Sequence, residues 1–506
     1  INHILLAALL IAIFKPWAIF SAAFQLSFSA VCAIGLIYPL FYRFLSQEFQ
    51  TIFSVPASTA VSGGHSPASL KRKIPGIIFK WVLSAFALTT VAMLGTLPLL
   101  LYHFNRFSLV APFSNLLVEP LICFWSLIFG LAAALCIPHF PVLANILFTA
   151  GGFGLTTAER ICTFFSALPY ISLWLPTPLP VEIVIFYLFL ISTVLALHLR
   201  DKSRQKLFVL ALSFFIFSSA VIAITFITRK SPGTASVTFL DVGHGSSIFL
   251  QLPKNKNILI DGGGSENDWF NIGERVIAPF LWQKRLSRLD AVVITHPHAD
   301  HYNGLPFILT RFRPRELWIN GSPVYDKEYR ELLGLAHQLG IRTKIATSGD
   351  ILFQSGTTHL VCLHSGGEIP HLPHKSDQAY FNNPNDRSIV LRLETNSRSF
   401  LFPADISARM AEVLIKNGIR LKADVLMAPH HGSASSMSRK FIQTVAPEYI
   451  AISAGRNNPF NLPARSFYDL KQKGIQVLCT NRDGTISFTI KNTEDRRIAV
   501  NRYQVN

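Results

Sequence analysis

The sequence predicts a polytopic α-helical membrane domain over residues 1–230, joined to a layered α/β soluble domain over residues 231–506. Three observations carry this expectation. Of the 506 residues, 50% are hydrophobic and only 15% charged, which excludes a disordered chain and a lone ordinary soluble domain. The charge is also uneven, with 14 Lys and Arg against 5 Asp and Glu in residues 1–230, but 32 against 24 in residues 231–506. Finally, the pattern changes near Ser231, from long apolar runs to short β-branched runs punctuated by glycine.

Apolar runs at 2–14, 18–41, 77–101, 109–136, 140–156, 181–199 and 206–228 are the expected spanning helices, about seven in all. Crossing ~30 Å of hydrocarbon needs about 20 residues, so the first run is short. The chain opens on Ile1 inside that run, which reads as a piece of a longer protein and not as a signal peptide. Gly151, Gly152 and Gly154 interrupt the fifth run, and Glu159-Arg160 follow it. Arg43 with Lys71-Arg72-Lys73, and Arg200, Lys202, Arg204 and Lys206, mark two short loops as cytoplasmic. Four crossings separate these loops if the glycine-interrupted run is counted. The last run then leads outward, and everything beyond Arg229-Lys230 lies outside the cytoplasm. Within the apolar runs, Lys15 and Lys80 either snorkel from helix ends or serve a function, whereas Glu119 beside Pro120 points to a pore or cavity position.

In the soluble half, strands at 236–240, 248–250 and 258–260 and helical stretches at 405–417 and 463–473 imply a single α/β core. Cys362 and Cys479 read as isolated core residues or, in an oxidising compartment, as one bridge. The chemistry begins after the strand Ala291-Val292-Val293-Ile294. There Thr295-His296-Pro297-His298-Ala299-Asp300-His301 places three imidazoles and a carboxylate in six residues, an HxHxDH pattern. In an extended loop His296 and His298 face one side and can bind one cation, while Asp300 and His301 reach a second. This N/O mixture suits Zn²⁺ or Mn²⁺. Downstream, Leu401-Phe402-Pro403-Ala404-Asp405 ends a strand in a carboxylate able to bridge two ions, and Asp424 through Ser433 ends another in the pair His430-His431. Asp261, in an Asp-Gly-Gly turn, is expected to brace the loops. Asn385 and Ser388 stand either at the site rim or in a simple turn. His364, His371 and His374 are expected at the surface, with metal capture a lesser role.

Two resemblances follow from these residues. Pro16-Trp17, Phe24-Gln25-Leu26-Ser27-Phe28, Gly95-Thr96-Leu97-Pro98-Leu99, Tyr102-His103-Phe104 and Ser114 through Pro120 resemble the membrane domain of ComEC-type DNA-internalisation proteins. Asp241-Val242-Gly243-His244-Gly245, Asp261-Gly262-Gly263, His296 through Gly304, Asp405, and Asp424 through Ser433 resemble the metallo-β-lactamase domain (an αββα sandwich) appended to the same family. The resemblance implies an inner-membrane channel for single-stranded DNA in natural transformation, working with other competence proteins, with Glu119 and Gln25 as channel residues. It further implies an extracytoplasmic metal-dependent nuclease acting on the strand that is not imported.

The expected metal ligands are His296, His298, Asp300, His301, Asp405 and His430. Asp300 and Asp405 are the candidate catalytic groups, and His244, His431 and Ser433 join Asp261, Asn385 and Ser388 around them. A water activated by the divalent ion would attack phosphorus. Arg311, Arg313, Arg439 and Lys440 are the candidate DNA contacts, each weighed against a merely solvated surface. Two departures from the family pattern are notable. His244 and Ser246 replace the common Gln and Asp, and Leu462 stands where the family has a His, so the second ion lacks one expected ligand. A catalytically silent, DNA-guiding domain is therefore the alternative, and a hydrolase for another phosphodiester or small ester is a third reading. The net charge of +17 favours anionic partners, either phosphate or anionic lipid.

Overall fold

A computed structural model describes residues 2–53, 67–168, 171–198, 202–227, 235–264, 270–323, 326–366, 383–395, 398–456, 458, 460–490 and 498–503. Arg200, Arg229, Lys230, His371 and His374 lie outside the described residues. The chain divides into two compact units, Ile1–Ile227 and Thr228–Asn506.

The first unit is helical. It contains α1 (Asn2–Phe14), α2 (Ala22–Phe53), α3 (Pro67–Phe104), strand β1 (Arg106–Ser108), α4 (Ala111–Glu119), α5 (Leu127–Cys136), α6 (Pro141–Ala167), strand β2 (Ser172–Trp174), α7 (Pro180–His198) and α8 (Lys202–Ile227). Among the described residues, six helical spans are long and apolar enough to cross a membrane, from Ala22–Tyr42 to Gln205–Ile224, and α1 is a shorter apolar helix. The run at 109–136 forms one span, Ala111–Cys136, but its middle is a π-helical turn, Pro120–Ser126. The cause is local: Pro120 has no N–H to give to the preceding turn, and the ladder widens around the missing bond.

The glycine-interrupted run does not break. It continues as α6 past Glu159-Arg160, and Gly151 and Gly154 in it are packing surfaces. A Cβ at Gly154 would sit 2.4 Å from Ser126 Oγ and 2.7 Å from Trp125 Cδ1, so the helices approach backbone to backbone there. Trp125 Nε1 donates to Ala150 O at 2.8 Å across the same seam. β1 and β2 pair antiparallel, and the Arg106 guanidinium lies over the Trp174 ring while donating to Ser172 Oγ.

The second unit has two sheets. It continues with β3 (Ala235–Phe239), β4 (Ile248–Leu252), β5 (Lys256–Ile260), α9 (Ala278–Gln283), β6 (Ala291–Val293), α10 (Ala299–Tyr302), α11 (Leu305–Phe312), β7 (Glu316–Ile319), α12 (Lys327–Gln338), β8 (Arg342–Ile345), β9 (Ile351–Ser355) and β10 (Thr358–His364). Then follow β11 (Val390–Thr395), β12 (Arg398–Phe402), α13 (Ala408–Lys416), β13 (Val425–Met427), α14 (Arg439–Val445), β14 (Tyr449–Ile452), α15 (Arg465–Tyr468), β15 (Gln476–Cys479), α16 (Thr480–Asp483), β16 (Thr485–Ile490) and β17 (Ile498–Tyr503). One sheet has the order β17-β16-β3-β4-β5-β6-β7-β8 and the other β15-β14-β13-β12-β11-β10-β9.

Apolar residues of both sheets, including Phe239, Leu250, Val293, Leu391, Phe402 and Phe488, form one buried cluster between them. A second cluster joins α13 and α14 to the outer face of the seven-stranded sheet through Met410, Leu414, Phe441 and Val445. With α9 and α11 burying Trp282, Leu305 and Phe312, the layers read helix, sheet, sheet, helix. β5, β6 and β7 run parallel, as do β12, β13, β14 and β15, and the loops that leave their C-terminal ends build the site. Cys362 and Cys479 are free thiols on strands five places apart in one sheet, roughly 24 Å at ~4.8 Å per strand, so the bridge allowed by the sequence is excluded. Burial pushes their thiols up to about 12 and about 11, which leaves both unreactive.

Candidate metal centre

Each strand end contributes one piece. β5 ends on Asp261, β6 runs into Thr295–His301, β12 into Ala404-Asp405, β13 into His430-His431, and β14 into Ser453. Gly245 makes the approach possible, because at φ +94 any Cβ there would stand 2.0 Å from Asp300 O.

Asp261 is fully buried and braces the loop. Its Oδ1 accepts from Thr295 N at 2.8 Å, and its Oδ2 accepts from Thr295 Oγ1 at 2.9 Å and from His301 Nδ1 at 2.8 Å. With its hydroxyl proton given to Asp261, Thr295 Oγ1 is left to accept from His296 Nδ1 at 3.1 Å. One carboxylate therefore fixes two imidazoles, one directly and one through a hydroxyl, so that both present Nε2 to the interior. His431 is set the same way, its Nδ1 donating to Ser453 O at 3.2 Å.

The Nε2 atoms converge on Asp405. Its Oδ2 lies 3.3 Å from His301, 3.4 Å from His431, 3.8 Å from His430 and 4.0 Å from His296. Asp300 Oδ2 lies 3.2 Å from His431 Nε2 and 3.7 Å from His301 Nε2. Asp300, His301, Asp405 and His431 thus form a group whose ligand atoms all fall within 4.8 Å of one another. His298 Nδ1 sits 3.0 Å from His296 Nε2.

Charge explains the protonation. Burial alone would lower the His301 and His431 imidazoles, but the carboxylates of Asp405 and Asp300 outweigh it. They hold His301 well above its ordinary value and push His431 up to about 9. Burial and then the His301 charge keep His296 well below its ordinary value. Burial would raise Asp405, yet His431 and His301 hold it well below the usual carboxylate range.

The donor set fits a divalent ion. His301 Nε2 and Asp405 Oδ1 are buried without a hydrogen-bond partner, and ligands of one such ion, each about 2.0–2.2 Å from it, stand roughly 3–3.5 Å apart. Asp300, His301, Asp405 and His431 would hold one ion, while His296 and His430 approach Asp405 Oδ2 at 4.0 and 3.8 Å from outside that group. The sequence reading had put His430 among the ligands and His431 on the rim. In the structure His431 is buried within the tighter group, and His430, with a side chain 36% exposed, faces the outer side of Asp405. Both histidines adopt positive φ, 48° and 55°, and this tight turn lets adjacent residues flank one carboxylate.

Of the other expected residues, His244 lies at the mouth, its Nε2 3.9 Å from Asp300 Oδ2. Ile389 N donates to Thr295 O, so Ser388 and Asn385 precede a residue tied to the metal loop, and Asp386 accepts from Ser407 N beside Asp405. Ser433 Oγ accepts from Ser435 N, capping the turn after the histidine pair. Leu462 packs against the apolar cluster under α13 and α14. Asn457 and Pro459 lie outside the described residues. His364, expected at the surface, is buried, its Nε2 donating to Asp386 O.

Arg311 and Arg313 are exposed at the end of α11, where Phe312 O accepts from Leu289 N. That is the opening end of β6, opposite to the end that carries His296. Arg439 and Lys440 are exposed at the start of α14. In the helical unit, Gln25 Oε1 pairs with His103 Nε2 at 2.8 Å, and Glu119 is exposed at the end of α4. The orienting role of Thr295, missed in the sequence, was legible as the hydroxyl residue between a buried strand and the first His.

Residues 1–200 match a family model described as competence protein, and residues 240–455 match that of the metallo-beta-lactamase superfamily. The chain is a homologue of the ComEC-type competence proteins. ComE operon protein 3 of Bacillus subtilis is 28% identical over 485 residues, which cover 92% of this chain and 58% of that protein. Competence protein ComA of Neisseria gonorrhoeae is 26% identical over 261 residues, or 50% of this chain and 32% of that protein. Among solved structures, Zn²⁺-bound PqqB from Methylobacterium extorquens aligns with 51% of this chain and 99% of its own, at 9% identity and a TM-score of 0.30. The chain thus spans 58% and 32% of the length of the two competence relatives.

Proposed function

We propose that this ComEC homologue serves DNA uptake. In this reading the helical unit passes single-stranded DNA through the cytoplasmic membrane, and the second unit is an extracytoplasmic, divalent-metal-dependent phosphodiesterase acting on the strand that is not imported. The observation that carries the enzymatic part is the convergence of four imidazole Nε2 atoms on Asp405, three of them with Nδ1 tied to a carboxylate, hydroxyl or carbonyl. A bound Zn²⁺ or Mn²⁺ would supply Lewis acidity toward a phosphodiester oxygen and toward the attacking water. The protein's own groups do the rest. Asp261, Thr295 and Ser453 hold the imidazoles in one tautomer, and Asp300 or Asp405 takes the proton that the attacking water loses as its bond to phosphorus forms and passes it to the leaving oxygen as the old P–O bond breaks.

Full-length protein in detergent, given end-labelled linear DNA with Mn²⁺ or Zn²⁺, should cleave it. EDTA or Asp405→Asn should reduce cleavage to background. Leu462, half-buried against the apolar cluster at the position where the resemblance implies a His, supports the second reading of a silent DNA-guiding module. That reading expects no metal-dependent cleavage, with DNA binding that weakens steeply as salt rises.

A further inference from the structure

Among the described residues of the second unit, Phe460 is the most exposed large apolar side chain, at 65%. A single exposed phenyl ring is unremarkable in itself. Its address and its support set it apart. The Phe460 ring stacks on His244, centroids 5.3 Å apart and planes 29° from parallel, while the His244 ring stands 5.7 Å from that of His431. One imidazole therefore separates the phenyl face from the carboxylate and imidazole cluster.

The loop that carries Phe460 is fastened at both ends. Asn458 Nδ2 donates to Gly455 O at 2.9 Å and Leu462 O at 2.8 Å, and its Oδ1 accepts from Leu462 N at 2.8 Å. Gly455 packs so tightly that a Cβ would lie 3.0 Å from the carbonyl carbon of Gly243, which locks this loop to the one bearing His244. The ring is thus presented on a clamped loop, backed by a second aromatic, at the mouth of the site.

We propose that Phe460, supported by His244, is a stacking platform for the base of the nucleotide whose phosphate lies at the cluster. A planar face recognises every base without reading its edge, so the contact tolerates sequence but requires an unstacked, unpaired base. The substrate at this site is accordingly a single strand or a frayed end, not an intact duplex. This rests on the phosphodiesterase reading, and it names the form of DNA that reading would act on.

The test compares a fluorescein-labelled oligothymidylate with an abasic oligomer of the same length and charge, both titrated into full-length protein in detergent with Mn²⁺. Phe460→Ala should weaken oligothymidylate binding about tenfold, within the 5- to 150-fold range of one lost base stack, and leave the abasic oligomer unchanged. Phe460→Trp should restore the wild-type affinity. An alanine variant that binds oligothymidylate as the wild type does, or that loses affinity equally for both oligomers, overturns the platform. Cleavage followed in the same samples tests the underlying reading separately. If the wild type cuts neither oligomer while Phe460→Ala still weakens binding of oligothymidylate alone, the phosphodiesterase is refuted and the platform stands.

Discussion

Asp261 shows how a site is set by a residue outside the group that would hold the ion. It is fully buried, and its carboxylate orients His301 directly and His296 through Thr295. Asp261→Ala should therefore lower metal affinity by about 10- to 100-fold, measured by isothermal titration with Mn²⁺ or Zn²⁺. Asp261→Asn should lose less, because its amide oxygen still accepts from His301 Nδ1. Equal affinity in all three proteins would show that the imidazoles hold their tautomers unaided. The sequence made the HxHxDH residues and Asp405 legible because chemistry-bearing types stood at strand ends. It did not sort His430 from His431, since which of two adjacent side chains turns inward depends on a positive-φ turn that residue types alone do not specify. Leu462 illustrates the same limit: a missing His was visible, whereas His430 and His431 flanking Asp405 from two sides was not.

At the scale of elements, two of the three glycines that looked like interruptions, Gly151 and Gly154, are contact surfaces. Gly154 faces Ser126 and Trp125 with no space for a methyl group, while Gly152, two residues away, would place a Cβ in open space. Gly154→Leu should push α6 from the π-helical turn and cost about 1–3 kcal/mol, read as a lower thermal midpoint in detergent. Gly152→Leu should stay within about 0.5 kcal/mol of wild type. A matching loss in both variants would assign the effect to helix propensity and not to the seam. The positions of the helices were legible from runs of about 20 apolar residues, but the seam was not. Apolar composition marks what can sit in lipid and is silent on which face meets another helix.

At the scale of the whole molecule, orientation follows from charge and parity. The basic stretches are Arg43 with Lys71-Arg72-Lys73, and Arg200 through Lys206. Between them the structure supplies four spans, Phe79–Phe104, Ala111–Cys136, Pro141–Ala167 and Pro180–Leu197. An even number returns the chain to its starting side, so both stretches can be cytoplasmic together, as positive loops prefer. Had α6 been broken at its glycines, parity would have set the two stretches on opposite sides and the charge argument would contradict itself. With both basic stretches cytoplasmic, as proposed, the final span, Gln205–Ile224, would lead outward and the candidate metal centre would lie beyond the cytoplasm. An alkaline phosphatase reporter, active only outside the cytoplasm, should be active when fused after Lys230 and inactive when fused after Ser203. The reverse pattern would put the centre in the cytoplasm. There it could not reach the strand left outside, and action on that strand would have to be abandoned.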